Sequence, residues 1–486
     1  MSDNWVVENL QNTLGIWNEK LAENWSLLTA WNDRIRITYK INEPFNVAKI
    51  EKNAKVVTLN GIFVIFYAKI LSGGIDMKLY KRENYLNRIR GFYDAADIIK
   101  VLTGVRRCGK SSLMLTIVDE LIEKGVSAEN IIYLDLDRRE YRKVTNDDQL
   151  EQLIEEKSKD IEGLKYLFID EVQNVRDFEL VLNGFRAEEE YSIFITGSNS
   201  YLLSGELSTK LTGRYVEFEI FTLNFEEYQS MKKFFGKPIN TNPLQELNSF
   251  ILEGGFPRSI QFDSLEDKRT YTLGVIKEIF EKDIRRRIKI RDRDAFEIVR
   301  NFIINNYGSL ISVNGIVDAL KKQGNSISKA TVSRYIQALM DAKIIYECTK
   351  FDMKSKKMIK GERKYYLSDL SFYYALNTDN QFNYGSSLEN IVYLYAKSHN
   401  YSVSVGRIGK LECDFILRDS KLNYSYIQVS YTITLSKDTE DREYRPLEHI
   451  KDNHPKYVAT TDYILQKRNG IKHINIIDFM KEDKAF

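Results

Sequence analysis

The chain has 486 residues, 43% of them hydrophobic, including 30 Tyr and 25 Phe. That is too long for one small domain and ample for real cores, with about three domains as the length prior. Lys+Arg 71 against Asp+Glu 69 leaves a net charge of +2, which excludes a polybasic chain and confines any basic surface to local clusters. Cys108, Cys348 and Cys413 form neither a disulfide framework nor a zinc spacing, and the four His, at 399, 449, 454 and 473, add no metal motif. That usage fits a reducing cytosol. No basic stretch followed by an apolar block marks a signal peptide. Val56–Leu71, the most apolar stretch, is broken by Thr58, Asn60 and Lys69. It is shorter than the ~20 residues that cross a bilayer. A cytoplasmic protein without stable membrane insertion is expected.

In chain order, residues 1–76 form an accessory segment. All four tryptophans, Trp5, Trp17, Trp25 and Trp31, lie here. Leu10, Leu14, Trp17, Leu21 and Trp25 recur at helical spacing. Gly73-Gly74 ends the segment, and Met77 reads as an original start. Residues 77–235 read as α/β. Strand-like runs at Ile98–Thr103, Asn130–Asp135, Tyr166–Asp170 and Tyr191–Thr196 alternate with helical patterns such as Asp147–Ser158, which indicates a parallel sheet covered on both faces. Residues 236–295 read as a charged helical connector, 296–370 as three helices and a hairpin, and 385–486 as mixed α/β.

The first chemistry lies between strand and helix. Gly104, Val105, Arg106, Arg107, Cys108, Gly109, Lys110 and Ser111, followed by Ser112, match the phosphate loop G-x-x-x-x-G-K-[ST]. Glycines let successive N–H groups face one phosphate, and a helix N-terminus adds partial positive charge. Lys110 is suited to the β- and γ-phosphates, and the Ser111 hydroxyl to a Mg²⁺ shell. Tyr166-Leu167-Phe168-Ile169-Asp170-Glu171 is a buried strand ending in two carboxylates. Asp170 is the second candidate metal ligand, and Glu171 the residue that polarises the attacking water. After the next strand come Ser198 and Asn199. In additional-strand ATPases a polar residue here reads the γ-phosphate; Asn199 is the first choice and Ser198 the second, against an ordinary polar turn. Arg214 is a candidate arginine finger, in cis or from a neighbouring subunit of a homo-oligomer, against a surface arginine after a turn.

The ordered series GVRRCGKSSL, YLFIDEVQNV, FITGSNS, LTGRYVEF, LNFEEY and GGFP resembles the bacterial and archaeal AAA-like ATPases that join an AAA_14-type core to a DUF4143 domain. The resemblance covers about residues 80–480. It implies a P-loop ATPase core at 77–235, a winged helix, and a restriction-endonuclease-like α/β domain at 385–486. It carries over Lys110, Ser111, Asp170 and Glu171 as functional positions.

Residues 296–370 read independently as a winged helix. Ile311–Leu320 is a short helix, Gly324-Asn325-Ser326 a turn, and Ser328–Met340 a second helix with an apolar face at Ile336, Leu339 and Met340. The hairpin that follows holds Lys350, Lys354, Lys356, Lys357, Lys360, Arg363 and Lys364. It is suited to the phosphates of double-stranded DNA, or else it packs on a protein surface. A second basic run, Arg285–Arg293, is interleaved with aspartates and reads as a salt-bridged face. In the C-terminal domain the resemblance implies a nuclease-type site, with Glu389 on a helix and Asp414 on a strand. The third element, Gln428-Val429-Ser430, lacks both the anionic ligand and the lysine, which argues against cleavage unless Lys437 substitutes. The reading is thus a switch that binds and hydrolyses ATP with Mg²⁺ and acts on DNA or a protein partner. The alternatives are an ATP-gated nuclease and a nucleotide-bound scaffold that does not hydrolyse.

Overall fold

Residues 79–197, 211, 213–285, 288–377 and 383–486 are described by a computed structural model, together with the backbone of three N-terminal strands. The chain divides into two units, Met1–Lys78 and Leu79–Phe486. In the first, Arg36–Tyr39, Val47–Glu51 and Val57–Thr58 form an antiparallel sheet. The helical pattern at Leu10–Trp25 lies outside the described residues, as does the rest of Val56–Leu71.

The second unit begins with a parallel sheet. Its strands are β1 (Ile99–Thr103), β2 (Ile131–Asp135), β3 (Lys165–Asp170), β4 (Tyr191–Thr196) and β5 (Tyr215–Glu219). Their order is β2-β3-β4-β1-β5, every neighbour parallel. Every residue of β1, β3 and β4 is buried, as expected where helices cover both faces and no alternation is needed. β4 lies between β1 and β3, so the strand after the acidic pair is inserted beside the phosphate-loop strand. Helices α1 (Glu83–Ile89), α2 (Lys110–Glu123), α3 (Asp147–Ser158) and α4 (Phe178–Ala187) complete the layer. Asn146 caps α3 by accepting from Gln149 N, which satisfies one of the orphan N–H groups of a helix start. Phe168 stacks on Phe194 at 4.7 Å.

The connector follows: α5 (Phe225–Phe234), α6 (Pro243–Glu253), α7 (Leu265–Ile279) and a π-helical turn, Phe280–Ile284. Asn224 and Glu227 close a reciprocal capping box on α5. Arg82 fastens this region to the phosphate loop. It forms a bidentate pair with Glu227 at 2.8 and 2.6 Å and donates to Cys108 O and Phe221 O. The GGFP segment is equally constrained. A Cβ on Gly254, whose φ is +74°, would meet Asp369 Oδ1 at 1.9 Å. Asp369 accepts in turn from Gly255 N at 2.8 Å and Ser371 N at 3.0 Å.

Next come α8 (Arg293–Asn305), β6 (Leu310–Ile311), α9 (Val313–Lys322), α10 (Lys329–Asp341), β7 (Ile345–Asp352) and β8 (Lys357–Leu367). Ser312 caps α9 and Ser328 caps α10. The remainder is α11 (Ser371–Leu376), α12 (Tyr384–Ser398), β9 (Ser402–Ile408), β10 (Leu411–Arg418), β11 (Tyr424–Val429), α13 (Lys437–Glu448), β12 (Lys456–Thr460), β13 (Lys467–Arg468), β14 (Ile471–Asn475) and α14 (Ile476–Lys481). The hairpin and the C-terminal strands do not form separate sheets. β7 pairs in parallel with β9 through Lys350–Asp352 and Val405–Arg407, giving one nine-stranded sheet, β13-β14-β12-β11-β10-β9-β7-β8-β6. Among the described residues no helix is long and apolar enough to cross a membrane.

Candidate functional site

The phosphate loop leaves β1 at Gly104 and enters α2 at Lys110. Its shape demands unusual backbone: φ is +142° at Gly104, +106° at Gly109 and +71° at Arg107. A Cβ on Gly104 would meet Ile220 O at 2.1 Å, so only glycine fits. Lys110 folds back and donates to Gly104 O at 2.9 Å and Val105 O at 3.3 Å. Pro257 of the GGFP segment would stand 3.6 Å from a Cβ on Gly109, so the connector touches the loop.

Parallel pairing brings the acidic residues to the same sheet edge. Asp170 ends β3 and is 4% exposed. Burial raises its pKa to about 6, with Glu171 and Asp135 adding to the effect; hydrogen bonds from Ser111 and Thr196 oppose it. Thr196 Oγ1 donates to Asp170 Oδ1 and accepts from Glu171 N at 3.1 Å. The other carboxylate oxygen, Oδ2, accepts a long 3.4 Å contact from the Tyr133 hydroxyl. Glu171 has φ +58°, a left-handed conformation in which a non-glycine residue is strained. Gln173 Nε2 donates to its Oε2, and Arg106 Nη1 stands 3.8 Å from its Oε1.

Ser111 therefore meets Asp170, Glu171 faces Arg106 of the loop, and Lys110 is turned onto the loop's own carbonyls. Ser198 and Asn199 lie outside the described residues. Arg214 does not join the site in cis. Its carbonyl accepts from Ile99 N at 3.0 Å, at the start of β1, whereas the loop follows the end of that strand. Five residues of strand put roughly 16 Å between them, more than an arginine side chain spans. Three contributors escaped the sequence reading. Thr196 and Tyr133 come from neighbouring strands. Asp283 of the π-helical turn takes both Arg106 Nε and Nη2, at 2.9 and 2.8 Å. Burial works against the charge of Arg106, but Asp283, Glu171 and Glu278 outweigh it and raise its pKa.

The basic hairpin is not the free surface that its sequence implies. Lys364 is 5% exposed. Its Nζ lies 2.9 Å from Glu389, 3.2 Å from Glu412 and 3.8 Å from Asp414. Tyr366 OH donates to the same Glu389 oxygen at 2.9 Å. Lys350 pairs with Glu412 at 3.0 Å, and Arg363 with Glu347. Lys354, Lys356 and Lys357 at the tip stay exposed; the Lys360 side chain lies outside the described set. Glu389 and Asp414 are thus brought together, with a lysine between them, and that lysine is Lys364. Lys437 is engaged on its own helix with Glu440 and Asp441. Burial pushes the Asp414 carboxyl well above the usual range and Glu389 adds to this, while Lys364 opposes it. Burial disfavours the charge on Lys364, but Glu389, Asp414 and Glu412 overcome it and raise its pKa. In the second basic run, Arg285 pairs with Glu281 at 2.9 Å and Arg293 with Glu297 at 3.0 Å, glutamates on either side of the run and not its interleaved aspartates; Arg286 and Arg287 lie outside the described residues.

Comparison with known proteins places this geometry. A family model described as an AAA domain, AAA_14, matches residues 96–229. Residues 244–383 match a domain of unknown function, DUF8612, a different one from the DUF4143 implied by the motif series. A Walker-type ATPase of Pyrococcus abyssi is similar with a TM-score of 0.43 at 16% identity, over 63% of this chain and 96% of that one. An uncharacterized protein of Methanocaldococcus jannaschii is 28% identical over 82% of this chain and 85% of its own length. An uncharacterized protein of Haemophilus influenzae is 34% identical over 403 residues, 83% of this chain and 98% of that protein. Identity at that level along nearly the whole relative means that the chain belongs to the family of this Haemophilus influenzae protein, and within it residues 96–229 are an AAA-type P-loop domain.

Proposed function

We propose that the chain binds ATP with Mg²⁺ and hydrolyses it, using nucleotide state to reposition the segments beyond residue 235 against a partner. The observation that carries this reading is the meeting of Ser111 with Asp170 beside Lys110 and Glu171. The donor set fits a divalent cation. Ser111 and Asp170 supply hard oxygen ligands, and the hydroxyl of Ser111 already meets the Asp170 carboxylate. Mg²⁺ held there would neutralise charge on the β- and γ-phosphates.

The chain's own groups do the rest. Backbone N–H groups of the loop and the start of α2 take up the phosphate oxygens. Lys110 exchanges two carbonyl acceptors for phosphate oxygens. Glu171 orients and polarises the attacking water. Lys110→Ala should lower ATP turnover by at least about a hundredfold, the scale for removing one preorganised donor from a developing charge. Glu171→Gln should retain nucleotide binding by calorimetry while losing turnover. Full turnover in both variants, or wild-type protein that takes up no nucleotide, would end this reading. Bound nucleotide without phosphate release would favour the scaffold alternative.

For the partner, the order helix, strand, helix, helix, hairpin supports a winged-helix reading of 296–370. Lys354, Lys356 and Lys357 remain available for phosphates. Measuring ATP turnover with and without double-stranded DNA discriminates: stimulation selects DNA, and its absence selects a protein partner. In the restriction-endonuclease-like reading of 385–486, Lys364 neutralises Glu389 and Asp414. The site therefore serves as an ionic joint and not as a nuclease centre. Plasmid cleavage with Mg²⁺ or Mn²⁺ would reverse that assignment.

A further inference from the structure

Both arginines of the phosphate loop are held by the connector. Arg107 donates to Glu278 on α7, at 3.0 Å to its nearer oxygen. Arg106 forms the fork-to-fork pair with Asp283, and both partners are nearly buried, at 10% and 5% side-chain exposure. A bidentate, charge-assisted pair of that kind fixes direction as well as distance. With Nε and Nη2 committed to Asp283, the remaining nitrogen, Nη1, faces Glu171 at 3.8 Å and Glu278 at 3.9 Å. Lys282 extends the contact, bridging Glu278 at 3.1 Å and Asp137, in the loop after β2, at 3.7 Å. Residues 278–283 thus reach the phosphate loop and the loop beyond β2.

The backbone at this contact is also unusual. Asp283 sits in a π-helical turn that continues α7, a rare geometry found frequently at functional sites. Glu171, on the opposite side of Arg106, is the residue with φ +58°. Arg106 therefore links a strained carboxylate at the reacting edge to a widened helical turn in the connector.

We propose that Asp283, through Arg106, sets whether Glu171 is free to act on water, so that the connector controls hydrolysis separately from nucleotide binding. Arg106 and Asp283 are positioning residues in this scheme, which rests on the ATPase reading above. While Asp283 holds the fork, Arg106 stays beyond hydrogen-bond distance of Glu171. Once Asp283 no longer holds it, the guanidinium is drawn onto the glutamate and occupies the carboxylate that should orient water. Any partner that shifts the turn at 280–284 would then slow or release hydrolysis.

The test uses the full chain and Asp283→Asn, which keeps size and removes the charge. Turnover (kcat), KM and the dissociation constant of a non-hydrolysable ATP analogue are measured together. The expected result is a fall in kcat of about tenfold, the scale of coupling between directly contacting residues, with KM and analogue affinity within about twofold of wild type. Adding Arg106→Gln to Asp283→Asn removes the group that would occupy Glu171 and should restore part of the lost rate. Asp283→Glu should recover most of the rate. Two outcomes overturn the inference: kcat unchanged in Asp283→Asn while wild type turns over, or analogue affinity falling in step with kcat, which would mean that the pair merely shapes the loop. Wild-type protein with no turnover at all would instead sink the ATPase reading itself.

Discussion

Two of the carboxylate clusters among the described residues are satisfied in opposite ways. At the edge of the parallel sheet Asp170 is met by the hydroxyls of Ser111, Thr196 and Tyr133. At the junction of β8, α12 and β10, Glu389, Glu412 and Asp414 surround the ammonium group of Lys364. Hydroxyls satisfy hydrogen bonds without cancelling charge, so in the proposed function the first cluster takes its cation from outside. The second has built its cation into the fold. Burying an uncompensated charge is costly, whereas a paired and hydrogen-bonded one is tolerated. In the proposed reading, the difference separates a site for a ligand from a joint between two segments.

The sharpest way to break this contrast is to remove the metal. Chelating Mg²⁺ with EDTA should bring ATP turnover to background and leave the denaturation midpoint of the nucleotide-free protein unmoved, because Lys364 already fills the other cluster. A large loss of stability on chelation would mean that the second cluster also holds a metal. Next in size is Lys364→Met. It strands the buried Asp414 and the partly buried Glu389 and Glu412, and should cost about 3 kcal/mol in urea denaturation followed by circular dichroism. Adding Glu389→Gln should recover part of that loss. A single variant as stable as wild type would show that the lysine is no joint. The smallest effect belongs to the exposed tip. Replacing Lys354, Lys356 and Lys357 together by Ala should change stability by no more than about 0.5 kcal/mol. If double-stranded DNA stimulates turnover, the same variant should lose that stimulation, with a weaker salt dependence of binding.

Legibility followed sequence distance. The phosphate loop is one contiguous octet, and Asp170-Glu171 ends an apolar run, so both could be read directly. Helix α3 runs from Asp147 to Ser158 as its pattern indicates, because Asn146 marks its start and Leu150 and Ile154 mark its buried face. Strand β5 was missed. It is an edge strand with only Phe218 fully buried, so its charged, half-exposed sequence carries no continuous apolar signal. The partners of the site were hidden for a different reason. Arg106 and Asp283 are 177 positions apart, and Lys364 and Glu389 lie on different elements. No local period records such meetings. The lysine-rich hairpin misled for the same reason. Charge at the level of residue type reads as a nucleic-acid surface, yet Lys350, Arg363 and Lys364 each face a carboxylate of another element or strand.

The amino-acid order by itself determined the nucleotide-binding chemistry, since glycines, lysine, hydroxyl and acidic pair act through backbone curvature and strand ends, which are local properties. Tertiary structure alone decided the strand order that sets Thr196 beside Asp170, the fusion of hairpin and C-terminal strands into one sheet, and the pairing of buried charges such as Arg106 and Lys364. Those depend on which surfaces pack together. Strands of equal apolarity and lysines of equal charge become distinct only when packing assigns each its neighbour.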